Sequence, residues 1–156
     1  MCARMGTRIP IARRGYFSLA YFNDAQEVYE TIGKLFVLLS EDEDLGPKWQ
    51  AAGTIVQYRF TEPDSQITIR LREGEPEDVD LGPTEMEPEL IMEMKADVAH
   101  RFWLGKVNVT MAIARGDIQP RGPVAKLLRL VPLTRTVFPR YRAMLEQDGR
   151  ADLVEV

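Results

Sequence analysis

The spacing of apolar positions changes several times along this chain, and each change marks an element. Between 24 and 40, Ala25, Val28, Ile32, Leu35, Phe36 and Leu39 recur every three or four residues, a one-sided stripe that predicts a helix. Asn23 or Asp24 can cap its start, with Gln26 or Glu27 three residues on completing a capping box. Over 49–60 the period drops to two: Thr54, Val56, Tyr58 and Phe60 alternate with Ile55, Gln57 and Arg59. Over 66–72, Ile67, Ile69 and Leu71 alternate with Thr68, Arg70 and Arg72. Such alternation predicts antiparallel strands with one covered face, and the turn Glu62-Pro63-Asp64-Ser65 makes the two a hairpin. A short strand around 79–81 and another over 90–94 follow.

From 96 to 132, short apolar segments are cut apart by Gly105, Gly116, Gly122, Pro123 and Pro132. Glycine ends helices by accepting left-handed backbone angles, and proline at the first helical position starts them. The spacing predicts helices over 97–104, 107–115 and 123–131, with an extended piece near 117–120. A last helix is expected over 134–146, capped by Thr134, with Val137, Phe138, Tyr141 and Leu145 inward. Pro139 lacks an amide hydrogen, so that helix either starts late or bends there. The segments offer much large apolar surface and little chemistry. Phe102, Trp103, Leu104, Met111, Leu127, Leu128 and Val131 are the residues expected to line a pocket. On that expectation, Met111→Trp or Leu128→Trp fills the pocket.

Length and charge narrow the class. A chain of 156 residues is expected to form one domain, large enough to enclose a cavity within its core. No apolar run approaches the ~20 residues of a spanning helix. The only cysteine is Cys2, which excludes an internal disulfide and fits a reducing cytoplasm. The net charge of −4 is unevenly placed: residues 23–98 hold 19 acids against 6 bases, and residues 99–156 hold 10 bases against 5 acids. An acidic chain without interleaved aromatic and basic residues makes nucleic acid a poor partner. The basic residues Lys126, Arg129, Arg135, Arg140 and Arg142 give the C-terminal helices a face suited to transient contact with an anionic membrane, although a solvated face explains them too. Residues 1–22 carry four Arg and no acid and read as an arm, and 148–156 as a frayed tail; the domain proper is expected over 23–147.

Candidate catalytic groups are few. The acidic run Glu41-Asp42-Glu43-Asp44 belongs in a loop and does not converge on a metal. The stretch 73–89 holds eight acids, three Pro and two Gly and reads as solvated loop. His100 is the single histidine; Ala96 and Leu104, its neighbours on a helical face, share neither metal nor proton with it, and a structural role is expected. A lone Cys and a lone His cannot assemble a zinc site within one chain. Nucleophile-elbow and phosphate-binding glycine patterns are missing from the sequence. The chain is expected to need no cofactor and not to be an enzyme.

Within the organising stretch, Gly105-Lys106-Val107-Asn108, then Ala112-Ile113, then Gly116, Ile118 and Gly122 resemble the pattern of the sterol carrier protein two family. A weaker resemblance in segment order spans 23–146. The chain departs from the family at Val109, where proline is frequent, and at Pro120, where the last strand usually carries an apolar residue. The resemblance implies an α+β fold: a twisted, mainly antiparallel sheet of about five strands, covered on one face by helices. It further implies a cavity between sheet and helices for a sterol, fatty acid, acyl-CoA or phospholipid. Binding, and transfer, of such a lipid is the expected function. The alternative is an accessory module that docks a protein partner or a second copy of itself and carries no lipid.

Overall fold

The computed structural model describes residues 20–72 and 78–156; the N-terminal arm up to residue 19 and the acidic stretch 73–77 lie outside the described residues. Helix α1 runs over 25–40, α-helical at Ala25–Val28, π-helical at Tyr29–Gly33 and α-helical again at Lys34–Ser40. Its start is the expected capping arrangement. Asp24 accepts from the Glu27 amide at 2.9 Å, while Glu27 accepts from the Asn23 amide at 2.7 Å. Gly33, at the end of the π turn, lies so close to Leu81 that an added methyl would stand 2.8 Å from its side chain.

Helix α2 (Leu45–Gln50) was not legible in the sequence, which assigned residue 49 onward to a strand. Six residues are too few to show a helical period. The acidic run lies in the loop before this helix, as expected, and caps its start: the Asp42 carboxylate accepts from the Asp44 and Leu45 amides at 2.9 and 2.8 Å. Those bonds, with the Arg140 guanidinium beside it, hold the Asp42 carboxyl below its ordinary range.

Strands β1 (Thr54–Thr61), β2 (Ser65–Leu71), β3 (Asp78–Leu81), β4 (Leu90–Lys95) and β5 (Ile118–Arg121) form one sheet in the order β3-β2-β1-β4-β5. The architecture is α+β, as expected, but the sheet is mixed. Three pairings are antiparallel, while the central β1–β4 pair is parallel with Val56 opposite Leu90, Tyr58 opposite Met92 and Phe60 opposite Met94. Pro120 costs this sheet little, because β5 lies at the edge and pairs only with β4.

Helices α3 (Ala96–Trp103), α4 (Val109–Arg115), α5 (Val124–Thr134) and α6 (Phe138–Gln147) follow. Asn108 caps α4 by accepting the Met111 amide at 3.0 Å, and Gly116 ends it at φ 82°. Pro132, expected to stop α5, lies inside its last turn. Thr134 does not cap α6; its hydroxyl donates to the Val131 carbonyl at 2.6 Å within α5. Pro139 is accommodated by the late start at Phe138, where its missing donor is one the first turn leaves unpaired anyway. Among the described residues, helices cover the sheet face that carries Val56, Tyr58, Phe60, Ile67, Ile69, Leu71, Leu90, Met92 and Met94. The opposite face is polar, with Gln57 bonded to Thr68 at 3.0 Å and Glu93 paired with both Arg59 and Arg121. No described helix is long and apolar enough to cross a membrane.

The tail does not fray. Leu153 and Val154 are buried, and His100, 0% exposed, is the reason. Its Nε2 donates to the Leu153 carbonyl at 2.8 Å, which leaves Nδ1 to accept from the Tyr141 hydroxyl at 2.8 Å. Tyr21 and Phe22 set their rings edge-on against the same imidazole. One neutral side chain therefore ties α3 to α6, to the C-terminal turn and to the end of the arm.

Two outcomes follow from this packing. Gly122 has φ +115°, and an added methyl would meet the backbone oxygen of Glu89 at 2.3 Å. Gly122→Ala is expected to cost at least about 1–3 kcal/mol, read as a lower urea midpoint. Burial, opposed only partly by the Leu153 carbonyl, lowers the His100 pKa to about 4. Between about 6.5 and 4 the unfolded chain takes up a proton that the folded chain refuses, so stability falls as pH drops through that window and is flat above it. The loss is of order 3 kcal/mol. Urea melts at pH steps across the window should show it, and His100→Gln should flatten that part of the profile.

Candidate functional site: an apolar cavity between sheet and helices

A cavity of about 40 Å³ lies on the helix-covered face of the sheet. Its floor is the central parallel pair: Val56 and Tyr58 from β1, with Leu90, Met92 and Met94 from β4. Alternation places these side chains on one face, and the register sets them side by side. Trp49 of α2 and Ile118 of β5 close two sides, while Ala99, Phe102 and Trp103 of α3 form another. Val109 begins α4 at one corner, and Leu127, Leu130, Val131 and Thr134 of α5 form the roof. The aromatic lining is braced from behind, because Phe36 of α1 stacks on Tyr58 at 5.1 Å and meets Trp103 edge-on at 5.4 Å.

The sequence-predicted lining residues divide by position. Phe102, Trp103, Leu127 and Val131 come together around this cavity. Leu104 is buried 1% exposed but is not at the cavity wall; it lies just past the end of α3, where its carbonyl accepts from Arg142 at 2.8 Å. Met111 and Leu128 point to solvent, 52% and 63% exposed. Both were placed on a pocket wall because they are large and apolar. Their helices instead turn Ala112 and Leu127, their immediate neighbours, inward. Trp49, Leu90, Met92, Met94, Ala99, Val109, Ile118, Leu130 and Thr134 were missed. The alternation in 90–94 was the one signal able to find Leu90, Met92 and Met94. Ile67 and Ile69, on the same sheet face as Val56 and Tyr58, are buried but do not line the cavity.

Every residue lining the cavity is uncharged. Polar side-chain atoms of the lining residues are the Tyr58 and Thr134 hydroxyls and the indole nitrogens of Trp49 and Trp103. Burial pushes the Tyr58 phenol well above its ordinary pKa, so it stays neutral. Four lining residues are half-buried: Tyr58, Phe102, Val109 and Val131. The last three come from the end of α3, the start of α4 and the side of α5, and the void reaches outward between them. Outside the cavity, Leu128 and Arg129 occupy the exposed side of α5. Lys126 ties that helix to the sheet by donating to Glu89 at 3.2 Å and to the Gly53 carbonyl at 3.1 Å. Bonds from Arg72 and then Lys126 hold the Glu89 carboxyl below its usual range.

The arrangement can exclude water and hold an apolar molecule; it displays no nucleophile beside a base. His100 spends both ring nitrogens on structure. Among the described residues no three His, Cys, Asp or Glu side chains converge to hold a metal.

No protein-family model matches the chain, and no curated protein matches it. Solved structures do. Sterol carrier protein 2 from Yarrowia lipolytica, in its apo form, superposes with a TM-score of 0.56 at 14% identity, over 68% of this chain and 88% of that one. The sterol carrier protein domain 2 of Helicoverpa armigera gives 0.53 at 18% identity, over 68% of this chain and 87% of that one. The inverting sec-alkylsulfatase Pisa1 from Pseudomonas sp. gives 0.52 at 18% identity over 63% of this chain, which spans only 15% of that much longer enzyme. At these identities the likeness is one of fold, and it accounts for the element order and the single helix-covered face: the chain has the sterol carrier protein 2-like fold.

Proposed function

We propose that this protein binds a single apolar lipid molecule between its sheet and helices. The observation that carries the reading is the wholly uncharged cavity on the floor of β1 and β4, in a fold shared with proteins named as sterol carriers. Burial alone supplies the affinity, at about 0.8 kcal/mol per methylene before ordering costs. The resting cavity of about 40 Å³ is far below the ~300–1,000 Å³ of pockets that hold drug-sized ligands. Loading therefore needs the lining to move outward. Met92 and Met94 on the floor have unbranched, adaptable side chains. Above them α5 touches the void through Leu127, Leu130 and Val131. A closed, water-poor resting state is what a carrier needs between encounters.

Transfer adds a requirement for a surface where lipid is delivered. Residues 118–145 contain six bases and no acid. Part of that charge is spent internally, Arg121 on Glu93 and Lys126 on Glu89, with Arg140 paired to Asp42. Arg129 and Arg135 lie exposed on and just beyond α5, beside the exposed Leu128. This side suits an anionic bilayer, where each cation near the surface contributes about 1 kcal/mol.

Ala99→Trp, which fills the cavity from α3, is expected to abolish lipid adducts in native mass spectrometry after incubation with fatty acid, long-chain alcohol and sterol. Met111→Trp and Leu128→Trp should load like the parent, since both side chains face solvent. A parent protein that takes up none of these lipids would sink the reading. Sedimentation with vesicles should show retention on anionic but not zwitterionic phospholipid, weakened severalfold by Arg129→Glu with Arg135→Glu. Retention unchanged by that pair would move the contact away from α5.

A further inference from the structure

One residue of the cavity wall carries an unanswered hydrogen-bond donor. Trp49 is 4% exposed, lines the void, and its indole N–H meets no acceptor. An indole nitrogen can only donate, so no change of tautomer or rotor satisfies it from within. Leaving such a group buried and unpaired costs about 1–3 kcal/mol. The ring of Trp103 lies beside that of Trp49 at a centroid distance of 6.5 Å. A second orphan lies nearby in the chain: the Thr54 hydroxyl, on a residue 0% exposed, also lacks a partner. Thr54 does not line the void, but it shares a face of β1 with Val56, which does. Thus the region where α2 runs into β1 holds two unspent polar groups, one of them on a residue of the cavity wall.

We infer that the ligand is a neutral, largely apolar molecule carrying one hydroxyl or carbonyl oxygen, and that this oxygen accepts the hydrogen bond of Trp49 Nε1. The inference rests on the cavity being the lipid site. The charge of the ligand follows from the same wall. With no Lys, Arg or charged His among the lining residues, an ionised carboxylate drawn to Trp49 would be desolvated against neutral donors only. An alcohol, ketone or ester loses far less on entering. A plain hydrocarbon fills the space but leaves the donor orphaned, and a site with a buried donor discriminates against the analogue that cannot answer it.

Three ligands of one chain length separate these cases: dodecanol, dodecane and dodecanoate, radiolabelled and measured by co-elution with the full-length protein at neutral pH. Dodecanol should bind about fivefold to tenfold more tightly than dodecane, the range set by one net hydrogen bond, and more tightly than dodecanoate. Trp49→Phe removes the donor along with part of the ring. Within the variant, dodecanol and dodecane should bind equally, and that ratio is the readout; retained uptake of dodecane shows that the variant keeps its cavity. Equal binding of dodecanol and dodecane by the parent, or a preference for dodecanoate, would overturn the inference while leaving the cavity reading in place. So would a dodecanol preference that survives Trp49→Phe. If the variant fails to fold, the parent's ranking of the three ligands still decides. Uptake of none of them would overturn both readings together.

Discussion

The parallel pairing of β1 with β4 is the constraint on which the rest of this structure depends. Both strands are central, so β2 and β3 hang from one and β5 from the other. Parallel neighbours cannot be joined by a tight turn, and here the connection is the whole excursion through β2, β3 and the segment leading to Glu89. The pairing is held from both ends. At its start Glu89 donates its amide to the Ile55 carbonyl at 2.9 Å and receives Arg72 and Lys126 on its carboxylate. Gly122 then passes so close to the Glu89 carbonyl that no side chain fits. At its end β4 runs directly into α3, so the register of one strand pair also fixes where Ala99, Phe102 and Trp103 stand over the floor.

A second organising interaction is polar and buried. His100 satisfies a backbone carbonyl of the C-terminal turn and the hydroxyl of Tyr141, and it does so only while neutral. The wall of the cavity and the closure of the chain's end therefore share helix α3. His100 and Trp103, three residues apart, serve the anchor and the cavity respectively. Polar chemistry is spent on holding α3 in place. The cavity beside it is left without charged groups, and its few polar ones include the unpaired indole of Trp49.

That division leaves little titratable chemistry beside the cavity. Catalysis by proton transfer needs a titratable group with a free lone pair or proton in reach of substrate. Here the one imidazole is fully committed, and the titratable group nearest the void, Tyr58, is a phenol held neutral by burial. What the site offers is surface area, a flexible thioether floor and a helical roof attached to the sheet through side chains at Lys126.

The sequence by itself determined which face of each long element would be buried. Period-two alternation in 54–60 and 66–71, and the stripe from Val28 to Leu39, are local consequences of strand and helix geometry, and the structure keeps both. It also determined where helices stop, because Gly105 and Gly116 adopt positive φ angles that other residues resist. The likeness of the Gly105–Gly122 pattern to the sterol carrier proteins pointed to the fold that the structure displays. Only the tertiary structure decided the rest. Helix α2 is too short to carry a period and exists because Asp42 caps it and Leu45 and Trp49 find the core. The β1–β4 register joins residues more than thirty apart, which no local pattern encodes. Whether an apolar residue lines a void, fills the core or faces water depends on the rotation of its helix against neighbours distant in sequence. Leu127 and Leu128 are adjacent and chemically identical, yet one lies on the cavity and the other in solvent. The orphaned donor of Trp49 is likewise a property of its surroundings, since a tryptophan in the sequence says nothing about whether an acceptor will stand opposite its nitrogen.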